Sequence, residues 1–410
     1  MTAHKQVPLG SVTEIRSGIG FPLSLQGKST GQYPFAKVGD ISRTAQSGQV
    51  YLNSADHYID GDDLKVLRSA PIPSGSIVFA KIGEAIRHNR RAITDSEIFI
   101  DNNAIAITPS RAIDTKFLYH YMRSIDLYPL ASSTTVPSIR KSTLEQLPIP
   151  LPDFSIQRQI VEVLDRADVL REKRRKSIAL LDDLAQSIFL DMFGDPVANP
   201  RGWHVSSLGD LLIAIESGRS PKCMDHRVVG DQWGVLKLSS VTTCEYIPSE
   251  NKALPPGYPP DQSCEVKPGD VLFTRKNTPE LVAACAYVRE TPPNLMIPDL
   301  IFRFRFLPSA PVEPQYIQRL LTNRRKRSKV QELAGGSAAS MSNISKARLL
   351  ELPIEVPPIE LQKEFIQRID RIDSMKGQQS VQLAELDTLF ASIQSRAFRG
   401  ELWQDDVKDL

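Results

Sequence analysis

Leu147-Pro148-Ile149-Pro150-Leu151-Pro152 opens the stretch that decides the fold, and Ser155 to Phe193 follows it with neither proline nor glycine. A helix over those 39 residues would be a rod of roughly 55–60 Å at 1.5 Å per residue, far longer than a typical globular helix. Apolar residues recur at Ile160, Val163, Leu164, Ala167 and Leu170, then at Ile178, Leu181, Leu184/Ala185, Ile188 and Met192. That is the spacing of one buried helical stripe. Gly194-Asp195-Pro196 supplies the stop, a C-terminal glycine with proline just beyond it.

The segment occurs twice. Leu352-Pro353-Ile354-Glu355-Val356-Pro357 opens the second copy and Gly400 closes it. A shift of 205 positions places Ile160 on Phe365, Leu164 on Ile369, Ala167 on Ile372 and Leu170 on Met375. It also places Ile178 on Leu383, Leu181 on Leu386, Leu184 on Leu389 and Ile188 on Ile393. Gln157 falls on Gln362, Asp165 on Asp370, Asp182 on Asp387 and Phe193 on Phe398. Chance does not align a whole helix face, so the chain is internally duplicated, with a period of about half its length and not that of a solenoid.

The segments before each helix echo one another more faintly. Leu9-Gly10 matches Leu208-Gly209, and Ser17-Gly18 matches Ser217-Gly218. Phe35-Ala36-Lys37-Val38 matches Val235-Leu236-Lys237-Leu238. Ser74 to Lys81 matches Pro268 to Arg275, and Ser132 to Ile139 matches Gly336 to Ile344. Short runs rich in Val, Ile and Phe at Pro34–Val38, Ser76–Ala80, Glu97–Ile100 and Ala104–Thr108 predict strands. Thr115 to Ser124 and Ser138 to Gln146 read as short helices, with Ser132-Ser133-Thr134-Thr135 as a loop. The fold class expected is α+β: two β-rich domains related by pseudo-two-fold symmetry, separated by two long antiparallel helices forming a coiled coil. The expected boundaries are 1–150, 151–198, 199–355 and 356–410. Gly377 in the second helix and Lys173 to Lys176 in the first predict a kink or loosened pairing midway.

Composition narrows function. The 410 residues suit two or three domains, and the net charge of +2 neither demands nor excludes nucleic acid. Met1 to Gly10 lacks an apolar core and no run is long enough to span a bilayer, so a cytoplasmic protein without a membrane partner is expected. Cys223, Cys244, Cys264 and Cys285 contain no Cys-x-x-Cys pair and read as buried or half-buried thiols; Cys223 with His226 is too few ligands for zinc.

No catalytic, metal or cofactor signature holds up. Gly27-Lys28-Ser29 resembles the end of a P-loop, but Pro22 stands where its first glycine belongs. Pro260-Asp261 with Glu265-Val266-Lys267 spaces its carboxylates too closely for a metal-dependent nuclease and reads as a turn. No glycine-rich dinucleotide or methyl-donor loop follows a strand, and Pro292-Pro293-Asn294 has the wrong order to hold a flipped adenine.

Basic residues instead recur at matching places. Lys37 corresponds to Lys237, Lys81 to Arg275 and Lys141 to Lys346. The first half adds Arg87, His88, Arg90 and Arg91; the second adds Lys276 and the alternation Phe302-Arg303-Phe304-Arg305-Phe306, which on a strand puts Arg303 and Arg305 on one face. Phosphate contact with base-edge readout competes here with a plain solvated face. Arg171–Lys176 and Arg324–Lys329 read as exposed helix faces.

Two dissimilar globules, each followed by a near-identical helix face, give the chain its resemblance to the specificity subunit of type I restriction–modification systems. Leu147–Pro152 with Gln157 and Ile160, the segment Phe193-Gly194-Asp195-Pro196 to Trp203, and Leu352-Pro353-Ile354 with Gln362 carry it. One departure is that the chain enters the first globule almost at once, without a long N-terminal extension. The resemblance implies two target recognition domains on an antiparallel helical spacer and a bipartite duplex DNA target. It implies docking to two methyltransferase subunits and, through them, to restriction subunits carrying the nuclease and motor. Two readers about one DNA turn apart would stand roughly 34 Å from each other, and the chemistry, base flipping included, would sit in the partners. A divergent adenine methyltransferase and a coiled-coil scaffold without DNA are the alternatives.

Overall fold

The computed structural model describes residues 4–132, 135–335 and 341–402. Ser133, Thr134 and residues 336–340, part of the matched loops, lie outside them. The chain divides into two compact units: Met1–Ser177 with Gln379–Leu410, and Ile178–Gln378.

In the first unit a five-stranded sheet runs in the order Thr13–Ser17, Ala104–Pro109, Ile77–Ala80, Arg91–Thr94, Tyr51–Leu52. A three-stranded sheet centres on Tyr33–Ala36, antiparallel to His57–Ile59 and parallel to Phe99–Ile100. The second unit repeats both. Leu212–Ser217, Ile301–Phe306, Val271–Thr274 and Cys285–Tyr287 make four strands. Gly234–Leu236 lies antiparallel to Asn251–Ala253 and parallel to Leu295–Met296. The central strands Ile77–Ala80 and Val271–Thr274 are buried throughout, which is why their sequences are continuously apolar instead of alternating.

The expected helix Thr115–Ser124 forms with those bounds, capped by Asp114 accepting from the Lys116 and Phe117 amides. The expected 138–146 helix is confined to Lys141–Glu145. A helix at Val38–Gln46 was not legible. Lys37 donates its amide to the Asp40 carboxylate at 2.7 Å, and the strand read to Val38 ends at Ala36.

Two glycines explain one of the faint echoes. A Cβ on Gly18 would lie 1.9 Å from the Asp101 carbonyl oxygen, and one on Gly218 would lie 1.7 Å from that of Ile297. Only glycine lets these backbones approach.

The long helices span Phe154–Phe193 and Ile359–Arg399. In the first unit Ile160, Leu164 and Ala167 share a core with Phe390, Ile393, Ala397 and Phe398. In the second, Leu181, Ala185, Ile188, Phe189 and Phe193 share one with Phe365, Ile369 and Ile372. The expected stripe needs correction at two matched pairs. Leu170 and Met375 are 53% and 52% exposed, and Leu184 and Leu389 are 46% and 53% exposed. Ala185 and Phe390, one position on, take the buried face. The helix ends sink into globule cores, and that demand sets which face turns inward. Ile178, Leu383 and Leu386 are half-buried.

Midway the contacts become polar. Arg171, 13% exposed, donates to Asp387 at 2.5 Å and lies 4.2 Å from the Phe390 ring; Arg174 donates to Gln379. In the second unit Lys376 donates to Asp182 at 2.7 Å. The helix runs unbroken through Gly377, and Arg171 is not on the solvated face expected for it.

Candidate nucleic-acid interface

Each unit pins the start of a short helix against the end of its central strand. In the first, Ile139 donates its amide to the Lys81 carbonyl at 2.9 Å and Gly83 to that of Pro137 at 2.8 Å. Lys141, the first residue of Lys141–Glu145, therefore stands near Lys81. In the second, Ile344 donates to the Arg275 carbonyl at 2.8 Å, and Lys276 and Asn277 pair with Asn343 and Ser342. Lys346 begins the helix Lys346–Leu350. The matched pairs Lys81/Lys141 and Arg275/Lys346 thus converge on the same corner of each fold, with Lys276 beside the second.

That corner has a built electrostatic character in the second unit. The Arg275 guanidinium and the Lys346 ammonium lie 5.3 and 5.5 Å from the ring of buried Phe302. The ring's negative face offsets part of the mutual repulsion of the two cations. Lys346 is exposed, so it can reach a phosphate while its stem rests on apolar surface.

The other expected contacts divide. Lys37 donates to Gln26 Oε1 at 2.9 Å, near the Phe21 ring, and Lys237 stands 3.6 Å from Glu250. Arg87 lies flat on Tyr128, 3.6 Å from the ring centroid, and donates to Glu84 at 2.7 Å. His88 is exposed and Arg90 half-buried. Lys141 lies 3.6 Å from Glu145.

Two residues are withdrawn as DNA contacts. Arg91 is 2% exposed, and it donates to Asn89 and to the Ile125 carbonyl. Arg303 is 3% exposed; it donates to Glu216 at 2.7 Å, to Asp270 at 3.2 Å and to the carbonyls of Glu265 and Ser263 at 2.6 Å. Burial pulls the Arg303 pKa down, but the neighbouring Asp270 and Glu216 more than offset it, so it stays above its ordinary value. Strand alternation separated Arg from Phe correctly; it could not show that a loop covers the arginine face. Arg305, 48% exposed, remains outward.

The Arg324–Lys329 cluster is corrected too. Lys326 is buried and donates to Glu355 at 2.7 and 2.6 Å and to the Pro353 carbonyl at 2.7 Å. Its signal was Glu355 itself, an acid inside an apolar motif.

Gln157 and Gln362, matched by the repeat, make the same three bonds. Gln157 accepts from the Asp114 amide at 2.8 Å and donates to the Ala112 and Pro152 carbonyls at 3.2 and 2.9 Å. Gln362 accepts from Glu313 at 2.9 Å and donates to Pro311 and Pro357 at 3.0 and 2.8 Å. Each glutamine ties its long helix to its globule, and buried amides need this full satisfaction.

Among the described residues no group of three or more His, Cys, Asp or Glu is placed to hold a metal ion, and no helix is long and apolar enough to cross a membrane. The four cysteines are free, with Cys264 and Cys285 buried.

Each unit thus joins two sheets to parts of the long helices and carries a basic corner. Residues 3–180 match the family described as type I restriction modification DNA specificity domain. The specificity subunit of the type I restriction enzyme EcoEI from Escherichia coli is 33% identical over 197 residues, covering 47% of this chain and 33% of that protein. The chain thus spans about a third of that relative's length. The EcoKI specificity subunit from Escherichia coli (strain K12) is 23% identical over 330 residues, covering 74% of this chain and 70% of that one. The crystal structure of a type I restriction–modification S subunit from M. genitalium shares the fold, with a TM-score of 0.53, 14% identity and 96% of each chain covered.

Proposed function

We propose that this chain is the DNA-reading specificity subunit of a type I restriction–modification enzyme. Each unit reads one half of a bipartite duplex site. The observation that carries this is the duplicated basic corner: Lys81 with Lys141, and Arg275 with Lys276 and Lys346, on one shared fold plan. Cations at the corner bind phosphates and set register. The surrounding segments differ in sequence between the units, as two half-sites of different sequence require.

The long helices form an antiparallel coiled-coil spacer with pseudo-two-fold symmetry. Support comes from the contacts within each unit. Arg171–Asp387 and Lys376–Asp182 exchange under the 205-position shift, and Arg174–Gln379 maps onto itself. Equivalent helix faces suit two copies of one partner. Those partners are two methyltransferase subunits, which in turn carry the restriction subunits, and they perform the methyl transfer and cleavage.

The test is footprinting of the chain assembled with its methyltransferase subunits on genomic duplex fragments. Two protected segments separated by an indifferent gap support the reading. One continuous segment, or protection independent of sequence, overturns it.

A further inference from the structure

In the first unit four elements enclose a cleft of about 230 Å³: the turn after Val38–Gln46, the Asn89–Arg91 turn, the helix Thr115–Ser124 and the first long helix. Its charged lining is Arg90, Arg91, Arg123 and Arg175 against Asp168 and Glu172. Arg123 already meets Asp168 at 2.6 Å, and Arg175 meets Asp387 at 3.3 Å and Glu172 at 3.9 Å; with Arg171 and Asp387 counted, five guanidinium groups face three carboxylates, an excess of two, the charge of a phosphate dianion.

Arg91 is the unusual member. It is 2% exposed, yet its guanidinium bonds only neutral acceptors: Asn89 O and Oδ1 at 2.6 and 2.7 Å, and the Ile125 carbonyl at 3.0 Å. Its buried Nε has no partner among the described residues. Burial, reinforced by the charge of Arg123, pulls its pKa down to about 9. Burying a cation among neutral acceptors is costly unless an anion joins it.

The second unit is an internal control. Phe79 pairs with Arg91 across the sheet, and the matched Phe273 pairs with Cys285. The same alignment puts Ala284 at the place of Arg90, Thr322 at that of Arg123 and Ser380 at that of Arg175. None of the four arginines is retained, while the strands and helices around them are. The second unit meets Asp373, the counterpart of Asp168, with Arg289 and Arg319, so an arginine at that carboxylate serves both units. Arg90 and Arg91 give way there to Ala284 and Cys285, and these two call for a role of their own.

We propose that this cleft is an oxyanion site of the first unit that takes a phosphate group, contacted by Arg90 and Arg175 at its mouth and attracted by the charges of buried Arg91 and of Arg123 behind them. Guanidinium forks suit phosphate oxygens and bond them about twice as strongly as neutral donors do. The phosphate comes either from a free phosphorylated ligand or from the backbone of bound duplex.

Inorganic phosphate titrated into the full chain, at ionic strength held constant with sodium chloride and followed by calorimetry and 31P NMR, tests this. Saturable binding of one phosphate is expected. Arg90→Gln and Arg175→Gln should each weaken it about tenfold, the worth of one charge-assisted hydrogen bond. Both lie at the mouth, so neither substitution disturbs the core, and circular dichroism verifies that each variant is folded. Lys329→Gln, on an exposed helix of the second unit, should leave it unchanged. Displacement of phosphate by a short duplex assigns the group to DNA; undiminished binding beside duplex assigns it to a free ligand. Absence of saturable binding, or an affinity in both cleft variants equal to that of the unchanged chain, overturns the proposal.

Discussion

The two units answer the same structural question with different chemistry. Beneath the first opening strand, Ile149 and Pro150 are buried apolar residues facing Val7 and Gln6. Beneath the second, the register pairs Glu355 with Val205, and that acid is neutralised by buried Lys326. The reverse holds on the sheets, where the first unit buries Arg91 and the second buries Cys285. A few matched contacts hold the plan: Gly18 and Gly218 at the close approaches, Gln157 and Gln362 at the helix joints. The segments between these contacts diverge, as the proposed pair of different readers would require.

The largest effect that separates the units should come from the buried ion pair. Lys326→Met leaves the Glu355 carboxylate buried without a partner, a loss of about 3–5 kcal/mol. Urea unfolding read by Trp203 and Trp233, both in the second unit, should show that loss. Lys326→Met with Glu355→Leu should recover most of it, since apolar groups replace both partners. An unchanged single variant would mean the pair is solvated in practice.

Next come the glycines, where the units should behave alike. Gly18→Ala and Gly218→Ala each force a Cβ into a carbonyl oxygen. Each should cost about 3 kcal/mol, with hydrogen exchange locating the weakening in the substituted unit. A cost in one and not the other would break the equivalence.

The smallest effect is a pH dependence carried by Asp165 in the first unit. Burial raises the pKa of Asp165, but hydrogen bonds from His120 and Lys116 outweigh it and leave the group below its ordinary value. The unfolded chain therefore takes up the proton first as pH falls. The contribution is whole above the unfolded pKa and is lost on acidification through the lower folded one. Because Asp165 is partly exposed, about 0.5 kcal/mol is at stake. Its counterpart Asp370 accepts instead from Gln315, at 2.8 Å, and from Arg289, at 2.7 Å. Urea titrations between pH 3 and 6 should show a shallower acid slope for Asp165→Asn.

The sequence exposed what repeats or is set by chain neighbours, and concealed what only tertiary packing decides. The long helices, the central strands and the helix 115–124 were legible because apolar periodicity and short apolar runs are properties of neighbours in the chain. The matched basic pairs were legible because duplication lines them up. Arg91 and Arg303 were misread because only tertiary packing shows that Asn89, or the loop at Ser263–Glu265, closes over them. The first stripe left Leu184 and Ala185 as alternatives, and matching Leu184 to Leu389 passed over Phe390, because a heptad-like stripe fixes a face only to within one residue. The Lys326–Glu355 pair joins positions 29 residues apart: the acid inside the apolar motif at 352–357 signals a partner, but no local pattern says which.

The central claim is that each unit reads its own segment of duplex through its own basic corner. Footprinting of the assembled complex with Lys81→Ala/Lys141→Ala, and separately with Arg275→Ala/Lys346→Ala, tests it most directly. The account predicts that each pair weakens protection of one segment about tenfold or more and spares the other. If both segments fade together whichever pair is changed, the units do not read independently and the account is wrong.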